Sequence, residues 1–205
     1  MTEILGQFSE AGPLLGLACA SFFFGVVLKL SDLLQEHGYR WFRGSANATG
    51  ALSAALGTSM LALGGADLHH LWIVVVASWI VRGRIDGLNH AMMALAILAF
   101  HGIMHPEFIT EKALTLYFAL TLVPLGAVHD LLQYTGIKAP AFLKWFFRNQ
   151  HLYWYLVGLG YLLFFSQNLE VPISIYAFVK GYGFLYEHKR DAWLGRLGVQ
   201  CPVAD

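Results

Sequence analysis

Residues 68–104 read LHHLWIVVVASWIV, then RGRIDG, then LNHAMMALAILAFHGIM. Two apolar runs, Leu68 to Val81 and Leu88 to Met104, flank a short turn with two arginines and two glycines. As a helix the first run is only about 21 Å long, against a bilayer hydrocarbon core of about 30 Å. If it crosses and the second returns, the charged loops along the chain stay on alternating sides. If it does not, every later loop changes side.

Outward from this pair lie five further apolar runs: Gly12 to Leu30, Ala46 to Leu63, Ala113 to Val128, Leu152 to Phe165 and Val171 to Tyr186. Each is too long for a strand, and the strict alternation of a lipid-facing barrel is missing. The chain has 205 residues, 57% hydrophobic and 13% charged, a balance outside that of ordinary soluble domains. The expectation is an all-α integral membrane protein, with residues 1–205 forming one compact bundle of about seven transmembrane helices. Thirteen basic residues balance thirteen acidic ones, so no net positive field exists to hold nucleic acid. Cys19 and Cys201 are too far apart in sequence, and too few, to suggest a disulfide framework or a cysteine metal knuckle.

Loop charge sets the orientation, because short loops rich in Lys and Arg stay on the cytoplasmic side. Arg40, Arg43, Arg82, Arg84, Lys138, Lys144, Arg148, Lys189, Arg190 and Arg196 all fall on one side under a seven-span reading. Lys112 falls on the other, with Glu3, Glu10, Asp67, Glu107, Glu111 and Glu170. The N-terminus is therefore expected outside and the C-terminus in the cytoplasm, in the cytoplasmic or an equivalent inner membrane. The opening MTEILGQFSE carries two acids and no base, so a cleaved secretory signal is not expected. Tyr134 to Lys144, with Gly136 and Pro140, reads as a hinge or interfacial segment.

Ionisable groups at a membrane edge are costly, so their grouping points to function. On the cytoplasmic side, Lys29, Asp32 and Glu36 are spaced three and four apart and share one helix face. Asp86 and His90 are four apart with Asn89 beside them, and Arg84 just before can grip an anionic oxygen with both arms. His129, Asp130, Arg148, Asn149, His151, Glu187 and His188 fall at the same level. Carboxylates with an imidazole suit Mg²⁺ or Mn²⁺, and a metal with arginine suits a phosphate or diphosphate. The expected roles are Asp32, Glu36 and Asp86 on the cation, Arg84, Lys29 and Asn89 on substrate, and His90 moving a proton.

Two further features stand apart. Lys180 lies deep in the last run, where an ammonium calls for a carboxylate partner, a lipid phosphate or an aldehyde. On the outer side His69 and His70 open the third run, while His101 and His105 are four apart at the end of the fourth. Imidazoles at that spacing can ligate Zn²⁺, giving an alternative metal site. His101 and His129 fall on opposite sides, which argues against haem. The aromatics Trp145, Phe146, Phe147, Tyr153, Trp154, Tyr155 and Tyr161 read as an interfacial belt and packing surface.

Size, span number and an outside N-terminus resemble the small membrane glycerol-phosphate acyltransferases that use acyl phosphate. Arg43-Gly44-Ser45-Ala46-Asn47-Ala48-Thr49-Gly50 resembles the phosphate-binding loop of that family over about eight residues, with Ala46 in place of its middle glycine. Arg82-Gly83-Arg84-Ile85-Asp86-Gly87 has no likeness to the family's glycine- and lysine-rich second loop. Seven spans with a lysine in the last also resemble the microbial rhodopsins, but the third run offers Trp72 and Trp79 and no carboxylate counter-ion. Neither resemblance assigns a family. The leading expectation is a membrane enzyme, a transferase or hydrolase of lipid metabolism, acting on a phosphorylated or diphosphorylated lipid or isoprenoid at the cytoplasmic interface. Its rival is a proton, metal or small-solute transporter or channel with Lys180 on the pathway. Membrane lipid is the expected partner, nucleic acid is not, and the oligomeric state is open.

Overall fold

The computed structural model describes residues 2–37, 39–85, 87–105, 111–135, 137–148, 152–165, 168–185 and 194–200, with side chains at all but 2–11, 134 and 148. Asp86, Glu107, Asn149, His151, Glu187, His188, Lys189 and Arg190, all singled out above, lie outside the described residues. The chain is helical: α1 Thr2–Glu36, α2 Ser45–Leu63, α3 Ala66–Val81, α4 Leu88–Met104, α5 Lys112–Tyr134, α6 Ala141–Arg148, α7 Leu152–Phe164 and α8 Glu170–Phe184. Seven of these coincide with the apolar runs. Among the described residues the only extended pairing is the bridge between Arg40 and Gln200.

Glycine punctuates the helices where the backbone must turn. After α3 the chain enters the left-handed region at Gly83, with φ of +66°. The Arg84 N–H then donates to the Trp79 carbonyl at 2.8 Å and the Gly83 N–H to that of Ile80 at 3.1 Å. These two bonds satisfy carbonyls that the last turn of a helix leaves open. The Arg-Gly-Arg sequence thus stops α3 and lets α4 return beside it. Both arginines stay at that end.

α3 is the most enclosed helix, with most of its residues buried, and it packs on α4, α5 and α8. α1 lies between α2 and α8, α2 against α4, and α7 against α8 and α5. At the centre Trp72 of α3 meets Phe24 of α1 and Phe178 of α8, with ring centroids 5.1 and 4.9 Å away. α1 and α8 touch through their backbones. A side-chain carbon on Gly25 would strike the Phe178 carbonyl, and one on Gly181 would strike that of Phe22.

Contacts near both ends give the helix directions. Ser21 bonds Ser174 across α1 and α8 at 2.9 Å, while Asp32 meets Tyr182 further along both. α1 and α8 therefore run parallel. α3 and α5 do too, through Thr115 with His70 at one end and Arg84 with Asp130 at the other. α4 runs against α3, since His105 reaches His69 and His90 reaches Trp79. These six contacts agree with a chain that reverses at each successive long helix.

α6 begins at Ala141, inside the segment read as a hinge or interfacial stretch, and it exposes Phe142 and Trp145 while burying Phe147. Leu194 and Val199 pack with Leu33, Leu34, Tyr39 and Leu185 in a small second core. The Arg40 N–H donates to the Gln200 carbonyl at 2.9 Å, which ties this tail over the end of α1.

Two helices are long and apolar enough to cross a membrane, at Gly12–Glu36 and Lys112–Gln133. Ala66–Val81, Leu88–Met104 and Leu152–Phe164 are apolar but shorter.

Gly25→Leu and Gly181→Leu are each expected to cost about 1–3 kcal/mol or more, since a rigid backbone cannot yield to the added carbons. A fall in the thermal unfolding midpoint of the detergent-solubilised chain would register it. Gly102→Ala, where an added carbon meets nothing within 4 Å, is expected to be neutral or slightly stabilising. Equal losses at all three positions would contradict the close approach of α1 and α8.

Candidate functional site

One end of the bundle collects the last turns of α1, the first turn of α4 and the end of α8. Helical spacing sets Lys29, Asp32 and Glu36 along one face of α1. Lys29 Nζ lies 3.7 Å from Asp32 Oδ2 and 5.0 Å above the Tyr182 ring. The Tyr182 hydroxyl donates to the same Oδ2 at 2.7 Å. Both Lys29 and Asp32 are buried.

His90 completes the group from α4. Its Nε2 lies 2.9 Å from Asp32 Oδ1 and its Nδ1 lies 3.6 Å from Glu36 Oε1. The first contact is close but lacks the angle of a hydrogen bond, and Asp32 Oδ1 is buried with no hydrogen-bond partner. One donor atom from each of Asp32, Glu36 and His90 lies within 4.8 Å of the others. Such a trio of two carboxylates and an imidazole can hold a divalent cation.

Local packing positions His90. The Asn89 side-chain oxygen accepts the His90 N–H at 2.8 Å, and Gln35 Oε1 faces the Asn89 N–H at 3.4 Å. Asn89 is fully buried, and its Nδ2 has no hydrogen-bond partner. Gly50 of α2 lies against it, and a side-chain carbon there would come within 2.9 Å of Asn89 Cβ.

A second polar group joins the ends of α3 and α5. Arg84 grips Asp130 with both arms, Nη2 to Oδ1 at 2.8 Å and Nε donating to Oδ2 at 3.1 Å. Arg82 Nε lies 3.3 Å from Oδ2, and His129 Nδ1 lies 3.2 Å from Oδ1. Gly126 leaves the space that the Arg82 guanidinium fills. Two guanidinium groups against one carboxylate leave an excess of positive charge. The Trp79 ring, one turn before Arg82, is 6.4 Å from that of His90, so the two groups are neighbours.

Of the residues expected at this site, the fold brings Lys29, Asp32, Glu36, Asn89 and His90 together. Asp86 lies outside the described residues. Arg84 is turned to Asp130. Lys180 is exposed, its ammonium 5.8 Å above the Tyr176 ring, and it is not brought to the buried group; a helix position facing outward explains this. Tyr182, Gln35 and Arg82 joined without being singled out for these contacts. Only helix spacing could have flagged Gln35, and nothing local marks Tyr182.

At the opposite end of the bundle, His69, His70, His101 and His105 do converge. Ring centroids of His69 lie 5.6 Å from His101 and 4.7 Å from His105.

Asp130→Ala would strand two guanidinium groups. It is expected to cost roughly 1.5–3 kcal/mol, and clearly less when Arg82 and Arg84 are also replaced. Thermal unfolding around this mutant cycle measures the difference, and equal costs in both backgrounds would mean that the three residues are not coupled. No family model, curated protein or solved structure matches the chain.

Proposed function

We propose that the chain is an integral membrane enzyme that uses a divalent cation at its cytoplasmic end to act on a phosphorylated or diphosphorylated lipid or isoprenoid. The convergence of Asp32, Glu36 and His90 donor atoms within 4.8 Å carries this reading. Mg²⁺ or Mn²⁺ needs oxygens at about 2.0–2.1 Å, and modest side-chain rotation closes the trio onto such an ion. His90 acts as a ligand here, in place of the proton-moving role its sequence context suggests. Lys29 and Tyr182 hold Asp32 with one oxygen turned to the ion, as outer partners of metal ligands do.

The arginines supply the second half. A dication and a guanidinium on opposite sides of a phosphate draw off the charge that grows on its oxygens during transfer or hydrolysis. Arg84 is the residue to meet the phosphate, with Asp130 holding its planar fork in place.

Helix direction and loop charge taken together support seven crossings with the N-terminus outside. Large apolar side chains exposed on α4, α5 and α7, among them Leu95, Ile103, Leu120, Leu159 and Leu163, suit contact with lipid tails. The short helices α3, α4 and α7 are accommodated by membrane thinning and by polar ends reaching the interface.

Manganese titration of the full chain in lipid nanodiscs, followed by electron paramagnetic resonance, tests the cation. Asp32→Asn, Glu36→Gln and His90→Gln are each expected to weaken binding about tenfold or more with helix content unchanged. Wild-type affinity in all three would sink the proposal. Lipid that co-purifies with the wild type, seen by native mass spectrometry, should be lost with Arg84→Ala.

The orientation has its own test. In a variant lacking Cys19 and Cys201, a cysteine at Arg43 should react with a membrane-impermeant thiol reagent only from the cytoplasmic face, and one at Lys112 only from the other. Labelling of both from one face would refute seven crossings.

A further inference from the structure

We propose that His69, His101 and His105 form a transition-metal site, suited to Zn²⁺, at the end of the bundle opposite Asp32 and His90. It does not depend on the reaction proposed for the other end.

The tautomer of His69 is the first observation. Its Nε2 lies 3.0 Å from the carbonyl oxygen of Leu61, in the last turn of α2. A carbonyl only accepts, so Nε2 carries the hydrogen and Nδ1 is left with its lone pair. His69 is 3% exposed, and Nδ1 is buried with no hydrogen-bond partner. A buried acceptor with nothing to accept from is destabilising. An imidazole that donates one nitrogen to a backbone carbonyl keeps the other as a lone-pair ligand, as metal-binding histidines do.

The second observation is what stands beside His69. His101 and His105 are one helical turn apart at the end of α4, and the reversal of α4 against α3 sets them over His69. Their ring centroids are 5.0 Å apart. One nitrogen from each of the three residues lies within 4.8 Å of the others. Tetrahedral zinc, with Zn–N of about 2.0–2.1 Å, asks only that these nitrogens close in by about an ångström.

The donor set also chooses the ion. Of the described carboxylates at this end, Asp67 accepts the Tyr161 hydroxyl at 2.5 Å, Glu170 accepts the Gly65 N–H at 2.7 Å, and Glu111 is exposed and outside the trio. Three imidazoles without carboxylates favour zinc or copper and repel the hard cations suited to Asp32 and Glu36. His70 is the remaining imidazole of the cluster, its ring 5.9 Å from His101 and its Nδ1 3.3 Å from the Thr115 hydroxyl. One ion here would join α3 and α4 directly and α2 through the Leu61 carbonyl.

The test uses the full chain, purified by a tag without histidine, stripped with a chelator and titrated with Zn²⁺ alone against a chromophoric competitor. Near-stoichiometric binding is expected. His101→Gln and His105→Gln should each weaken it about tenfold or more. Zinc should raise the unfolding temperature of the wild type and not that of either outer variant. Cobalt in place of zinc should give the visible bands of a tetrahedral nitrogen site. His105, only partly buried, supplies a variant that folds even if His101→Gln does not. A wild type that takes up no zinc, or zinc binding that survives both outer substitutions, would overturn the proposal.

Discussion

α1 and α8 meet backbone to backbone at Gly25 and Gly181, and the polar chemistry of one end depends on that approach. Asp32 follows Gly25 by two helical turns, and Tyr182 is the residue after Gly181. Along these packed helices the Tyr182 hydroxyl reaches to 2.7 Å from the Asp32 carboxylate. The same approach sets Phe178 against Phe24, with centroids 5.2 Å apart, and so closes the aromatic centre around Trp72. Packing of small residues takes the place of a hydrophobic driving force where lipid surrounds the helices. Losing the glycines would loosen the core and release Asp32 together.

The α3–α4 pair has the complementary role. Gly83 turns the chain without spending residues, so the end of α3 and the start of α4 stay at one level and their far ends at the other. One level receives Arg82, Arg84, Asn89 and His90. The other receives His69, His70, His101 and His105. A single tight reversal therefore equips both ends of the bundle. Oxygen donors dominate at one end and nitrogen donors at the other, which separates hard from borderline cations by ligand type alone.

The helices were legible because hydrophobic runs and their breakers are local properties. Leu88 to Met104 reads from the sequence as it stands in the fold. α1 and α5 continue past the apolar runs by several residues, since charged residues at a helix end keep the backbone helical while ending the hydrophobic signal. The three-and-four spacing of Lys29, Asp32 and Glu36 revealed their common face, and i to i+4 spacing revealed His101 with His105. What was not legible is which helix faces which. Tyr182 and Asp130 are far along the chain from their partners, and no local pattern pairs them. Arg84 lies within six residues of His90 yet takes its partner from α5, because the Gly83 reversal aims it there. Lys180 stands on the outward face of α8 over the Tyr176 ring. In a bilayer its long side chain has to carry the ammonium toward the interface, and no local pattern shows which way that face points.

Charge balance at the group of Lys29, Asp32, Glu36 and His90 bears on the proposed anionic substrate. A histidine that ligates a metal must be neutral, so Lys29, Asp32, Glu36 and His90 together carry one positive and two negative charges. Lys29 and Asp32 are the buried pair and balance each other, while Glu36 at the exposed edge carries the surplus negative charge. Under the proposed function a dication would reverse that surplus and leave a net positive end beside the already positive group of Arg82, Arg84 and Asp130. A phosphate with a lipid tail would suit both regions, its charge at the polar end and its chain along the apolar helix faces. Cation and substrate would in this way favour each other's binding, each lowering the electrostatic cost of the other.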